Sequence, residues 1–303
     1  VRVLIIGADT PVGIALRDHF DLRGNDYAGL PKADCRWKNE RQTKKSLRRS
    51  DCRFVVDARL QAAADGGIRI HDIDVDRGLW LARASQALKI PLMHLSAARV
   101  FAGTEGRVYG EEDDPDGEST IARLLIAAES ALRDSCERYV LLRTGPVFSA
   151  RGINVVTHML NRLHGGEVLH LNGRHQGCPL PAEDAARVIG GMIDQFDCGV
   201  RAWGTYHYCS SDITNCYEFA EVLLAAASQY REISPDAARL IAKEADAVAV
   251  SRSLDCRKIR DTFAIKQQPW RANIAGHVKQ YFADLSAGES KSVESYGHRN
   301  ATA

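Results

Sequence analysis

The sequence has no surplus of charge: 40 Lys and Arg stand against 39 Asp and Glu in 303 residues. That balance argues against a chain whose overall field holds a phosphate backbone or an anionic membrane, so neither nucleic acid nor membrane is an expected partner. No run of eighteen or more apolar residues occurs, which excludes a spanning helix read from hydropathy. The opening "VRVLIIGADT" is too short an apolar run before Gly7 to read as a signal peptide, and the expected location is the cytosol. The eight cysteines (Cys35, Cys52, Cys136, Cys178, Cys198, Cys209, Cys216 and Cys256) never form C-x-x-C, so their spacing writes neither a zinc site nor a redox dithiol. They read as reduced packing residues.

What is present is a core-forming composition, 45% hydrophobic and 26% charged, enough for one large domain or two fused lobes. Short apolar runs ("RVLIIGA", "DYAGL", "RFVVDA", "PLMHLSA", "RYVLLRTG", "GTYHYCSS") alternate with helical stretches near residues 11–24, 44–51, 74–88, 119–136, 153–166, 181–196 and 215–228. Such alternation is what a parallel sheet with crossover helices requires, so the expected fold is α/β. A final helix is expected at 271–285. The polar, small-residue stretch 286–303 reads as a mobile tail.

"GADTPVG" puts Gly7 and Gly13 at the first and third positions of a G-x-x-G-x-x-G turn between strand and helix. Such a turn brings backbone N–H groups and a helix amino end to a dinucleotide pyrophosphate. Thr10 stands at the middle position. Its side chain either crowds the cofactor or donates to it, and a turn that binds nothing is the alternative to both. After the second strand, "GLPKADCR" carries Lys32 and Arg36 around Asp34, which leans toward a cofactor with a 2′-phosphate, NADP(H); solvated loop charges are the other reading.

The order of these strings resembles the extended short-chain dehydrogenase/reductase family, in the dTDP-4-dehydrorhamnose reductase-like, sugar nucleotide-binding branch. "FVVDAR" is similar to its V-V-N-A-A, "HLSAARVFAG" to S-T-D-Y-V-F-x-G, and "VLLRTGPVFSARGINVVTHML" to L-R-T-x-x-V-[YF]-x-x-x-G-x-N-F. "GCPLPAEDAA" is similar to G-x-P-x-x-x-x-D-L-A, and "SLDCRKI" to x-L-D-x-x-K-L. The resemblance implies a Rossmann-type doubly wound parallel sheet over residues 1–150, with part of 186–212 returning to it, and a smaller C-terminal α/β substrate lobe over 151–285. It implies NAD(P) at Gly7, Thr10, Pro11, Val12, Gly13, Lys32, Asp57, Ala58, Arg59 and Ser96. For the nucleotide sugar it implies Arg143, Thr144, Asn154, Gly177 and Pro179, although Arg143 also reads as a structural strand-end residue.

The family's chemistry needs a Ser or Thr, a Tyr that donates the proton, and a Lys four residues on that holds the ribose and lowers the Tyr pKa. In register with "AAESAL", those positions are Ala97, Ile121 and Leu125. Nowhere does a Tyr precede a Lys by four: Tyr109 leads to Asp113, Tyr139 to Arg143, Tyr206 to Ser210 and Tyr217 to Glu221. Tyr109, just ahead of the helix, is the one substitute acid considered. Ile121, Leu124, Leu125, Ala128 and Leu132 otherwise form an apolar helical stripe.

His94, Ser96 and Asp57 lack the G-x-S-x-G elbow of a hydrolase, and His170 with His175 lack a third ligand, so neither a hydrolytic triad nor a metal is expected. "GEEDDPDGE" (110–118) reads as a solvated loop, with a basic protein partner as the alternative; "KKSLRRSDCR" (44–53) reads as an exposed basic face. The expected function is a noncatalytic NAD(P)- or nucleotide-sugar-binding sensor or regulatory subunit. An active reductase or epimerase with an unconventional acid, and an interaction scaffold without nucleotide, are the alternatives. A homodimer is left open.

Overall fold

Six of the apolar runs become the strands of one sheet in the computed structural model, which describes residues 1–64, 69–230, 239–243 and 249–297. They are Val3–Ile6 (β1), Tyr27–Leu30 (β2), Phe54–Asp57 (β3), Leu92–Ala97 (β4), Tyr139–Thr144 (β5) and Gly204–Tyr208 (β6). The order is β6-β5-β4-β3-β1-β2 and every pairing is parallel. Four-residue strands such as "VLII" and "FVVD" are buried throughout because helices cover both faces of the sheet.

The helices are Pro11–Arg23 (α1), Glu40–Ser50 (α2), Arg59–Ala64 (α3), Asp72–Leu88 (α4), Thr120–Ser135 (α5), Val155–His164 (α6), Ala182–Asp197 (α7), Cys216–Ala227 (α8), Arg257–Phe263 (α9) and Arg271–Gly297 (α10). Their ends follow local chemistry. Thr10 caps α1 with Pro11 as its first residue, and Gly24 closes it in the left-handed region at φ 65°. On one face α2, α4 and α5 cover Leu4, Ile6, Val55, Leu92 and Leu141. On the other α1 and α7 pack together over Val3, Ile5, Val56 and Met93.

After α6 the chain returns to the sheet: α7 lies on α1, and β6 adds the edge strand beside β5. A second core of Phe148, Leu160, Phe219, Leu223, Trp270 and Ile274 unites α6, α8 and α10. Because the chain runs from β1 outward to β2 and then back across to β3, the carboxyl ends of β1 and β3 flank the sheet's switch point.

Two helical segments lie beyond those the sequence pattern marks. Arg59–Ala64, not read as a separate helix, forms α3 with all six residues buried. Of the stretch expected as a mobile tail from 286, residues 286–297 continue α10 to Gly297, since each residue added to an existing helix gains a hydrogen bond without a new nucleus; 298–303 lie outside the described residues. Among the described residues no helix is long and apolar enough to cross a membrane.

Candidate functional site

The glycine turn is built as its spacing requires. Gly7 sits at φ +81°, and a Cβ on Gly13 would stand 2.1 Å from the Gly7 carbonyl oxygen, so neither position accepts a side chain without moving β1 from α1. Thr10 is fully buried; its hydroxyl donates to the Gly7 carbonyl at 2.7 Å and accepts from the Gly13 N–H at 3.1 Å. The residue expected to crowd or bond a cofactor is therefore a helix cap. Pro11 has no N–H to offer, which leaves Val12 as the first amide of α1 available to an anion.

At the end of β3 stands an unexpected pair. Asp57 and Arg59 are both 0% exposed and joined side by side, Nε–Oδ1 and Nη2–Oδ2 each at 2.8 Å. Burial pushes the Asp57 carboxyl up, and the Arg59 guanidinium with the nearby His94 more than reverses this, holding it well below the usual carboxylate range. The Arg59 Nη1 is buried without a hydrogen-bond partner among the described residues. Ala58 is buried between them. At the end of β2, the Lys32 ammonium donates to the Arg69 carbonyl at 2.7 Å, and burial lowers its pKa, with the nearby Arg59 adding to the effect.

Across the sheet a cleft of about 180 Å³ opens beyond the ends of β4 and β5. Ala97, Thr144, Gly177 and Pro179 line it, as do Pro146, Val155, Met159 and Phe219, which make one wall apolar. The rim is cationic. Arg252 donates to the carbonyls of Phe101 (2.8 Å) and Ala102 (2.9 Å), while the Arg99 guanidinium makes no hydrogen bond or ion pair among the described residues. Burial lowers the pKa of Arg252, and Arg99 lowers it further; His175, also in the cleft, is lowered by burial and then by both arginines. Among the described residues no Asp or Glu lines the cleft, and the amino ends of α6 and α8 open onto it at Val155 and Cys216.

The RmlD substrate binding domain model matches residues 1–283. The chain belongs to this family. A dTDP-4-dehydrorhamnose reductase of Sinorhizobium fredii is 28% identical over 200 residues, 63% of this chain and 66% of that protein, just short of two thirds of its length. The fold is shared with a dTDP-4-dehydrorhamnose reductase of Clostridium acetobutylicum (TM-score 0.76, 18% identity, 92% of this chain and 99% of that one). It is shared also with one of Bacillus anthracis in complex with NADP (TM-score 0.73, 19% identity, 93% and 99%).

Within the RmlD-type scaffold the three positions assigned to proton transfer are apolar. Ala97 is 2% exposed at the cleft floor, Ile121 packs half-buried on the main core, and Leu125 is 0% exposed inside it. Tyr109 does not replace them: it is fully buried, stacked on Phe101 at 4.2 Å, and its oxygen accepts the N–H groups of Gly103 (3.0 Å) and Thr104 (2.8 Å). Its hydroxyl is engaged away from the cleft.

Three further assigned residues have side chains engaged within the chain. Ser96 donates to Glu129 at 2.6 Å, and Arg143 meets the same carboxylate through Nε (3.0 Å) and Nη2 (2.7 Å), all three buried. Ser96 and Arg143 are register partners on β4 and β5, and strand alternation turns both toward α5, which carries Glu129. Arg143 also reaches His207 at 3.3 Å; burial, then Arg143, pushes that imidazole down to about 3. Asn154 caps α6, its oxygen accepting from Val156 (3.0 Å) and its amide donating to the Arg151 (3.1 Å) and Gly152 (3.2 Å) carbonyls. No sequence motif singles out Arg99 or Arg252. Arg99 stands where the family segment S-T-D-Y-V-F has Tyr, and that substitution was the one available sign.

Proposed function

We propose that this chain is a binding homologue of the nucleotide-sugar reductases: it takes a nucleotide sugar in the cleft and NAD(P) against the Gly7–Gly13 turn, and acts as a sensor or regulatory subunit. The observation that carries this reading is Ala97, Ile121 and Leu125 at the three reacting positions. Reducing a keto sugar requires a proton at the carbonyl oxygen as hydride arrives, and a placed acid contributes roughly 10²–10⁴-fold. A methyl and two branched alkyl groups hold no proton. Nor does Leu125 supply an ammonium to hold a ribose or lower a phenol's pKa.

Ligand binding is supported by what the cleft keeps. Two guanidiniums with no carboxylate among the described lining residues make a cationic rim, and a diphosphate ester against an apolar wall answers both features. For the dinucleotide, the turn at Gly7, the close approach at Gly13 and the amino end of α1 fit a diphosphate. Lys32 and the unpaired Arg59 Nη1 lie on the side where the adenosine ribose would be held, which favours NADP(H). Bound there, a nicotinamide supplies hydride chemistry; the chain's residues bind and orient it.

A second reading, residual reductase activity, has one observation in its favour. His175 lines the cleft, and burial, then Arg252 and Arg99, lower its pKa, so an imidazole ring stands beside the space a substrate would fill. Calorimetric titration with NADPH, NADH and a dTDP-sugar, alongside a turnover assay with a 4-keto dTDP-sugar, separates the readings. Saturable heat without turnover supports the binding homologue; turnover abolished by His175→Ala supports the second; no heat with any ligand contradicts both.

A further inference from the structure

Three thiols from separate segments meet behind the cleft wall. Cys178 lies between Gly177 and Pro179, Cys209 directly follows β6, and Cys256 directly precedes α9; they are 4%, 0% and 5% exposed. The Cys209 and Cys256 sulfurs are 3.7 Å apart. Cys178 lies beside them: a Cβ on Gly145 would stand 3.0 Å from the Cys178 carbonyl carbon and 3.1 Å from the Cys209 Cβ. The neighbouring Cys209 holds the Cys178 thiol below its usual range, while Cys209 itself is pushed well up. The remaining five cysteines have no such neighbour: burial drives Cys35 up to about 12 and Cys136 up to about 11, Cys52 is raised too, and Cys198 and Cys216 are exposed without a second sulfur.

We propose that Cys178, Cys209 and Cys256 form a redox site at which a small peroxide converts two thiols to a disulfide. The Cys178 thiolate attacks one peroxide oxygen; an S–O bond forms, the O–O bond breaks, and the departing hydroxide takes a proton to become water. The Cys209 thiol, as its thiolate, then attacks the Cys178 sulfenic sulfur, the S–O bond breaks, and a second water leaves with the thiol proton. Two thiols and one hydrogen peroxide become one disulfide and two waters, sulfur giving up two electrons.

Cys256 can then attack the Cys209 sulfur, moving the bond to Cys209–Cys256 and releasing Cys178 with no net oxidation. From 3.7 Å, that pair closes by less than 2 Å to reach the roughly 2.05 Å of a disulfide. Access is through the wall itself, since both neighbours of Cys178 line the cleft and hydrogen peroxide is little larger than water. A Cβ on Gly145 would stand 1.9 Å from the Cys178 carbonyl oxygen, so this strip is seated against the residue after cleft-lining Thr144, and drawing Cys178 inward moves the wall.

The test exposes the full-length reduced protein to a small excess of hydrogen peroxide, quenches it in acid with an alkylating reagent, and maps the peptides. Two of the eight thiols should disappear, recovered in a Cys178–Cys209 or Cys209–Cys256 peptide that dithiothreitol reverses. Cys209→Ser should abolish both peptides and leave Cys178 as a sulfenic acid that dimedone traps. Because that variant disturbs a packed site, Cys256→Ala serves as the milder control and should keep the Cys178–Cys209 peptide. All eight thiols intact in the wild-type protein, or oxidation confined to Cys198 and Cys216, would overturn the proposal.

Discussion

Replacing Leu125 by Lys restores the residue type that the family register assigns to this position, and the structure dictates a heavy cost. Leu125 is 0% exposed in the main core. Removing a buried leucine costs about 2–5 kcal/mol where the site cannot collapse. An ammonium in the same space loses hydration, and a fully buried Lys shifts its pKa down by up to about 3–5 units, each worth about 1.4 kcal/mol. Partial escape of the flexible stem reduces the sum, so Leu125→Lys should cost on the order of 5 kcal/mol against a domain stability of about 5–15. Leu125→Met should cost less than about 1.5.

Urea unfolding at pH 7 of both variants and the wild type measures this. The sign with pH adds a second check. A Lys whose folded pKa is depressed binds fewer protons folded than unfolded, so Leu125→Lys should regain stability as pH rises from 7 toward 10. A Lys variant within about 1 kcal/mol of wild type at pH 7, with no pH dependence of the difference, would refute the assignment of position 125 to closed core.

Glu129→Gln leaves Arg143 buried beside a neutral amide and should lower stability by about 3–5 kcal/mol, read as a reduced urea midpoint. His207, pushed down to about 3 by burial and Arg143, refuses a proton that the unfolded chain takes near 6.5; its contribution should therefore fall by about 2 kcal/mol between pH 7 and pH 5, a loss absent in His207→Asn. His277 has the opposite sign: Glu183 raises its pKa despite burial, so the pair's contribution is complete below about 6.5 and fades as pH climbs through the raised value, an alkaline decline that His277→Ala should remove. Arg99→Ala with Arg252→Ala should weaken dTDP-sugar binding at least tenfold and flatten its dependence on salt, measured by calorimetry at two ionic strengths.

Much of the fold was legible because glycine and proline punctuate it. Gly7, Pro11 and Gly24 bracket β1 and α1 in the sequence as they do in space. α3 was not, since "RLQAAA" is short, buried on all sides and without periodicity to read. Thr144, Gly177 and Pro179 meet in the cleft from two distant segments aligned by family strings. Arg143 and Asn154 fall in the right strings but face away, because a motif fixes position along the chain and not side-chain direction. Arg143 is turned under α5 by strand alternation, and Asn154 is held by its own helix. Arg99 and Arg252 are 153 residues apart in the chain, and only folding brings them to one rim.

The proposed binding role holds only if NADPH and a nucleotide sugar bind to this chain without reacting. The most direct measurement follows NADPH absorbance at 340 nm with the protein saturated by a 4-keto dTDP-sugar. The account predicts oxidation no faster than in the protein-free mixture, while calorimetry under the same conditions shows both ligands bound. NADPH consumption in proportion to protein concentration, with reduced sugar as product, would contradict it.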